Sequence, residues 1–409
     1  MVVHTVVIAP DSFKGTVTAV DAARAIANGW ASVRAQDRLR LLPMADGGEG
    51  TLDAFETAFA TDSGAGADAT GTGAGTGTGT GAGVETTPAS APAPGSASAS
   101  PAAAPGPRRM PVDVQGPDNL PVSSSWLLLP DGTGVVELAN TSGLTLLDPL
   151  RPLDAHTLGF GQAIAAALDY GVHRVLLALG GSSSTDGGAG ALAALGAMFV
   201  DATNRPIRLG NRGLGTLARV DLSRLRALPP GGVQILCDVT NPLLGPNGAA
   251  AVFGPQKGAT EAQVIGLESN LTRLARLIRI DPSLPGAGAA GGTAFGLLAW
   301  GATLAPGAAA IGETLGVPAA LAGASALITG EGRFDSQSAA GKVPSYLLGQ
   351  AGAAGVPTML VAGSIEADTA AFAATQSLTA LAGSSAEALA DPLRYLQEAG
   401  AALARGCGW

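Results

Sequence analysis

Lysine is almost missing from this chain of 409 residues: 20 of its 23 basic residues are arginine. The three exceptions, Lys14, Lys257 and Lys342, each adjoin a glycine. A compact ammonium beside a glycine turn suits a phosphate or a carboxylate, whereas a charge kept only for solubility could as well be arginine. The plainer alternative is three surface charges at turns. With two cysteines, Cys237 and Cys407, a disulfide framework and a thiolate zinc site are both excluded. Histidine is scarce too, and His4, His156 and His173 sit where strands or a helix begin, poor places for a general base. Aromatic residues make up 4% against 46% hydrophobic residues overall, so the core must be aliphatic. A net charge of −9 argues against nucleic acid or an anionic membrane as the main partner. No apolar run reaches membrane length, and the chain enters a strand without a charged leader, so a soluble cytoplasmic protein is expected.

What the chain does have is a repeated pattern of apolar runs that stop in glycine and an acid. The central case runs from Leu176 to Gly190: a buried strand over 175–179, a Gly/Ser loop, and a helix expected over 189–198. Glycines let a loop turn its N–H groups toward a ligand, at a helix N-terminus that already favours anions. The pattern recurs at Asp11, at Asp46 with Glu49, at Asp238, and at Glu331 with Asp335. Five acidic strand ends point to one crevice, because open α/β sheets bind ligands at the carboxyl ends of their strands.

The remaining elements alternate as an α/β fold requires. A strand over 5–9, a helix over 18–33, a strand over 38–44 and a helix over 49–59 open the chain. Residues 61–107 collapse into Thr, Gly, Ala, Ser and Pro, with too little apolar bulk to offset chain entropy, and read as a low-complexity insertion. Short strands over 112–114, 126–129 and 135–138, a helix over 157–169, a strand over 233–238 and a helix over 261–280 follow. The tail alternates strand and helix over 326–329, 338–350, 358–362 and 378–380 before a last helix near 386–404. Both ends share this alternation and the middle has its own sheet. One domain is therefore expected inside another: 1–60 with 291–409 as the discontinuous part, 108–290 as the insert, and the active site in the cleft between.

Familiar nucleotide motifs fail. Gly341-Lys342 is no Walker loop, since Ser336 replaces its first glycine and Val343 its Ser/Thr. The G-x-G-x-x-G at 286–291 follows a proline-bounded loop rather than a strand, so a nicotinamide or flavin site is not expected. Carboxylates, lysines and glycine turns remain, a set that fits phosphoryl transfer with Mg²⁺.

The residues also carry a resemblance. Ala9-Pro10-Asp11-Ser12-Phe13-Lys14-Gly15, Met44-Ala45-Asp46-Gly47-Gly48-Glu49-Gly50, Gly180-Gly181-Ser182-Ser183-Ser184-Thr185-Asp186-Gly187-Gly188 and Cys237-Asp238-Val239-Thr240-Asn241-Pro242 look like motifs of the bacterial glycerate kinase family. So do Phe253-Gly254-Pro255-Gln256-Lys257-Gly258, Pro285-Gly286-Ala287-Gly288-Ala289-Ala290-Gly291-Gly292 and Thr329-Gly330-Glu331-Gly332-Arg333-Phe334-Asp335, in the family's order across nearly the whole chain. The resemblance implies ATP-dependent phosphorylation of D-glycerate, at the 2-hydroxyl or else the 3-hydroxyl. It also implies two α/β domains, a flavodoxin-like one inserted into a second with a parallel sheet. A kinase for another small hydroxy acid and an inactive metabolite sensor are the alternatives. The 61–107 insertion departs from the family pattern, as does His156-Thr157-Leu158-Gly159, where Thr-Thr-Tyr-Gly is usual.

Roles follow from chemistry. Asp186 would orient or deprotonate the glycerate hydroxyl, or else cap a helix. Lys14 and Lys257 would neutralise the migrating phosphoryl group. Asp46, Asp238, Glu331 and Asp335 are the magnesium candidates. Arg333 would grip the substrate carboxylate, or else form a surface ion pair. Backbone N–H groups of 180–183 (Gly180, Gly181, Ser182, Ser183) and 288–292 (Gly288 and Gly291 among them) would cradle phosphate, with Ser12, Gly47 and Gly48 at the same site.

Overall fold

The computed structural model describes residues 3–13, 15–63, 106–336 and 342–409. In chain order its strands are β1 (Thr5–Pro10), β2 (Arg38–Leu41), β3 (Arg108–Gln115), β4 (Pro121–Leu128), β5 (Thr133–Glu137), β6 (Arg174–Ala178) and β7 (Met198–Val200). There follow β8 (Arg219–Asp221), β9 (Val233–Leu236), β10 (Thr303–Ala305), β11 (Ala326–Phe334), β12 (Thr358–Ile365) and β13 (Ala374–Ser377). Of the expected 61–107 insertion, residues 64–105 lie outside the described residues; 61–63 end the helix Thr51–Ser63.

Two sheets carry the molecule, as an α/β reading requires. The outer sheet, ordered β13-β12-β11-β1-β2, is parallel throughout. Counted along the chain this is the doubly wound order 2-1-3-4-5 of flavodoxin-like folds, with its switch point between β1 and β11. That arrangement was expected in the inserted segment; it lies instead in the part built from both chain ends. The middle sheet, β10-β9-β6-β5-β4-β3, is parallel from β10 to β5 and closes with an antiparallel β4-β3 edge. Its last strand is contributed by 303–305, and Phe295, Leu297 and Trp300 of the helix Ala289–Trp300 pack into its core. Sheet membership thus carries the middle unit past the boundary expected at 290.

The helix Ala19–Ala31 shows how the sequence sets an element. Thr18 caps it by accepting the Asp21 N–H at 3.1 Å, and Ala22, Ala23, Ile26 and Trp30 form its fully buried face. Elsewhere local signals stopped short. The helix expected over 189–198 ends at Ala194, because Gly196 at φ +112° turns the chain into β7, which pairs antiparallel with β8. The last expected helix is two, Ser385–Ala390 and Pro392–Gly406, and Leu378 opens a short helix after β13.

The sheets share an apolar cluster. Val7, Leu42, Leu52 and Phe55 from the outer part meet Leu127, Val135, Leu176 and Leu236 from the middle sheet, all at most 1% exposed. Each such side chain contributes about 1.5–3 kcal/mol of burial. The two sheets are therefore held in register by core packing as well as by the chain crossings.

Candidate active site

Strand ends of both sheets enclose a cavity of about 800 Å³. Asp11 and Ser12 follow β1, and residues 44–50 follow β2. From the middle sheet come Glu137 at the end of β5, residues 179–182 after β6, and residues 236–239 at the end of β9. The loops interlock at their backbones. Gly180 N–H donates to Gly47 O at 3.1 Å, and a Cβ at Gly180 would stand 2.3 Å from Gly48 Cα, so only glycine fits there. Gly307, whose N–H binds Asp238 Oδ1 at 2.8 Å, packs against the Asp46 carbonyl and brings those two acids to one wall. A second cavity of about 400 Å³, lined by Glu331, Arg333, Asp335 and Lys342, shares Asp11, Ser12 and Thr16 with the first.

Lys257 supplies positive charge from beneath. It ends the one-turn 3₁₀ helix Pro255–Lys257, is 2% exposed, lines the larger cavity and donates to Ser184 O. Among the described residues no carboxylate pairs with it. Burial depresses its pKa to about 7, against a weaker upward pull from Asp186.

Asp186 meets the start of the helix Ala189–Ala194, the capping alternative. It is fully buried and lines neither cavity. Its carboxylate accepts Thr157 N–H and O–H, each at 2.9 Å, Gly188 N–H at 3.0 Å and Gly190 N–H at 3.2 Å. Three of these contacts go to Oδ2 and the Gly188 N–H to Oδ1, so the carboxylate ties the start of the helix Ala189–Ala194 to Thr157. Ser12, Gly47, Gly48, Gly180, Gly181 and Ser182 do line the larger cavity, with Asp46, Asp238 and Lys257. Ser183 does not; its hydroxyl and N–H both go to Ser142 O. The 288–292 turn reaches the larger cavity through Ala289 and Ala290, and its glycines pack tightly against neighbouring backbone. Gly288 N–H donates to Asn241 O, and a Cβ at Gly291 would stand 2.1 Å from Ser184 O and 2.9 Å from Lys257 Nζ. Arg333 is 63% exposed, pairs with Glu366 at 2.5 Å and Asp335 at 3.7 Å, and lines the smaller cavity. Glu331 lies within β11, opposite Ala362, and Asp335 just beyond it, both at the smaller cavity. Lys14 lies outside the described residues.

Ala290 shares the left-handed run of this turn at φ +53°, which costs an L-residue roughly 1–2 kcal/mol. Ala290→Gly is therefore expected to raise the unfolding free energy by about 0.5–1 kcal/mol, read as a higher denaturation midpoint.

A profile of the glycerate kinase family matches residues 6–73 and 67–407. The chain belongs to the glycerate kinase family. It is 37% identical to a glycerate kinase of Halalkalibacterium halodurans, covering 88% of this chain and 86% of that one. Against the glycerate 2-kinase of Escherichia coli K12 identity is 35%, over 89% and 86% of the two chains. A crystal structure from Salmonella typhimurium LT2, described as a candidate glycerate kinase 2, superposes with a TM-score of 0.76 at 34% identity, covering 99% of this chain and 98% of that one.

Asp11 and Glu137 are acids at this glycerate kinase-family cavity to which no sequence motif gives a role. Asp11 was counted as a strand-end acid, but only the structure puts it, 3% exposed, on the wall common to both cavities. Glu137 carries the same signal, an acid closing the apolar strand Val135-Val136, and went unnoticed because no glycine follows it. Among the described residues no group of three or more His, Cys, Asp or Glu is arranged to hold a metal. Mg²⁺ in phosphoryl transfer needs only one or two carboxylates beside phosphate oxygens, and Asp46 and Asp238 both line the larger cavity. No helix among the described residues is long and apolar enough to cross a membrane.

Proposed function

We propose that this chain transfers the terminal phosphoryl group of ATP to the 2-hydroxyl of D-glycerate, giving 2-phosphoglycerate and ADP. One observation carries the reading: the strand ends of two sheets meet at a single cavity that joins acids and glycine loops to a buried ammonium lacking a carboxylate partner. A buried cation without a counterion is costly alone and becomes favourable when a phosphate supplies the missing charge.

Family membership and the curated relatives support glycerate as acceptor. In the reaction the glycerate 2-oxygen bonds to the γ-phosphorus, the bond from that phosphorus to the β–γ bridging oxygen breaks, and the hydroxyl proton leaves. Asp11 is the carboxylate we assign to orient the hydroxyl and receive that proton, because it lies where the two cavities join, at the switch point of the outer sheet. Lys257 neutralises charge on the migrating group, and the 47–48 and 180–182 loops orient it. Asp186 keeps the second of those loops in place through Thr157, Gly188 and Gly190. Asp46 and Asp238 would hold Mg²⁺, which when bound supplies charge neutralisation at the phosphate oxygens.

Phosphorus NMR of a mixture of the protein, ATP, Mg²⁺ and D-glycerate tests this reading. The expected product is 2-phosphoglycerate; 3-phosphoglycerate would overturn the regiochemistry, and absence of any phosphoglycerate would overturn the activity.

A further inference from the structure

Gly50, the residue that precedes the helix Thr51–Ser63, has no side chain with which to cap it. The acceptor comes from another sheet. Gly50 N–H donates to Glu137 Oε1 at 3.1 Å and Leu52 N–H to Glu137 Oε2 at 3.2 Å, across 87 and 85 positions of chain. Glu137 is 1% exposed and lines the larger cavity. Thr51 O–H closes the turn on Gly48 O at 2.7 Å, so the hold on the helix start passes directly into the glycine loop of the site.

We propose that Glu137 is a positioning residue for phosphoryl transfer, a carboxylate that caps the helix Thr51–Ser63 from the middle sheet and thereby holds the 47–50 loop against Gly180. The assignment rests on the kinase reading above. A ligand role fits less well, because each carboxylate oxygen already accepts a backbone N–H, and a helix N-terminus fastened in this way presents two fewer donors to phosphate.

The cap requires both oxygens as acceptors. Protonation turns one of them into a donor facing an N–H, and one of the two bonds is lost. Burial, opposed by the two backbone bonds and assisted by the charges of Asp53 and Glu49, raises the Glu137 pKa to about 7. Further charged groups lining the same cavity are Asp46 on the loop and Arg109 of β3, whose guanidinium is held by Asp53 and Glu56 of the helix. The loop is thus fastened above neutrality and loosened below it, so activity falls as pH drops through the Glu137 pKa.

Glu137→Gln copies the protonated state without changing size. In amide hydrogen exchange, its Gly50 and Leu52 N–H groups should exchange about tenfold faster or more than in the parent, while the Thr18-capped helix is unaltered. In turnover assays with ATP and D-glycerate, kcat should fall about tenfold or more with both KM values within about threefold, and the acid limb of the pH profile should flatten. Asp53→Asn, at an exposed position, should leave the protein folded and move that limb to lower pH by removing a charge that opposes ionisation of Glu137. Unchanged exchange at Gly50 and Leu52 overturns the cap whether or not the protein turns glycerate over. Faster exchange with parental kcat and pH profile overturns the positioning role. A parent protein that makes no phosphoglycerate defeats the kinase reading and with it the positioning role of Glu137, while exchange at Gly50 and Leu52 still decides the cap.

Discussion

Lys257→Met is expected to give a protein more stable than its parent and without activity. The ammonium is buried with one carbonyl acceptor and no carboxylate partner, and burial holds its pKa near 7 rather than 10.5. A lysine whose folded pKa is depressed binds fewer protons in the native state than in the unfolded chain, between about 7 and 10.5. Stability of the parent should therefore rise with pH across that window, and in Lys257→Met this slope should vanish. Methionine fills a similar volume without a charge, so at pH 7 the variant gains on the order of a few kcal/mol in unfolding free energy. Catalysis moves the other way. Removing a cation from a dry site where charge migrates costs about a thousandfold or more in kcat/KM. Urea titration across pH and steady-state kinetics read both effects; a variant that is less stable and still active would show that Lys257 is a structural side chain.

Gly180→Ala is expected to damage stability and catalysis together. The added carbon would stand 2.3 Å from Gly48 Cα, a backbone atom that no rotamer change can move aside. The loops must separate, which strains or breaks the Gly180 N–H bond to Gly47 O and widens the cavity at its centre. A loss of about 2–3 kcal/mol in unfolding free energy is expected from the overlap. Displacement of the glycine loops by about 1 Å should lower kcat about a hundredfold. Gly171→Ala, at a positive-φ helix end with open space around it, is the control for backbone strain without overlap, and it should lose stability while keeping kcat.

Much of this site was legible because strand ends announce themselves locally. Asp11, Asp46 and Asp238 each follow an apolar run, and the structure brings all three to one cavity. The scarcity of lysine likewise marked Lys257 before any geometry was known. Other features escaped because they depend on partners far along the chain. Asp186 has a strand-end signature too, yet its carboxylate binds Thr157 and two later glycines, and no local pattern reveals the partner 29 residues earlier. Glu137 was hidden by the reverse situation, since its donors lie 85 and 87 residues earlier. Strand order is also a long-range property. Alternation showed two α/β units but could not say that the 2-1-3-4-5 order belongs to the sheet built from both chain ends, nor that 303–305 would complete the other sheet.

The central claim is that two sheets aim their strand ends at one cavity where phosphate meets Lys257. A crystal structure with a non-hydrolysable ATP analogue, Mg²⁺ and D-glycerate tests it most directly. The terminal phosphate should lie between the 47–48 and 180–182 loops within hydrogen-bond reach of Lys257 Nζ, with the glycerate hydroxyl facing Asp11. A nucleotide bound elsewhere, with that cavity filled only by solvent, would contradict it.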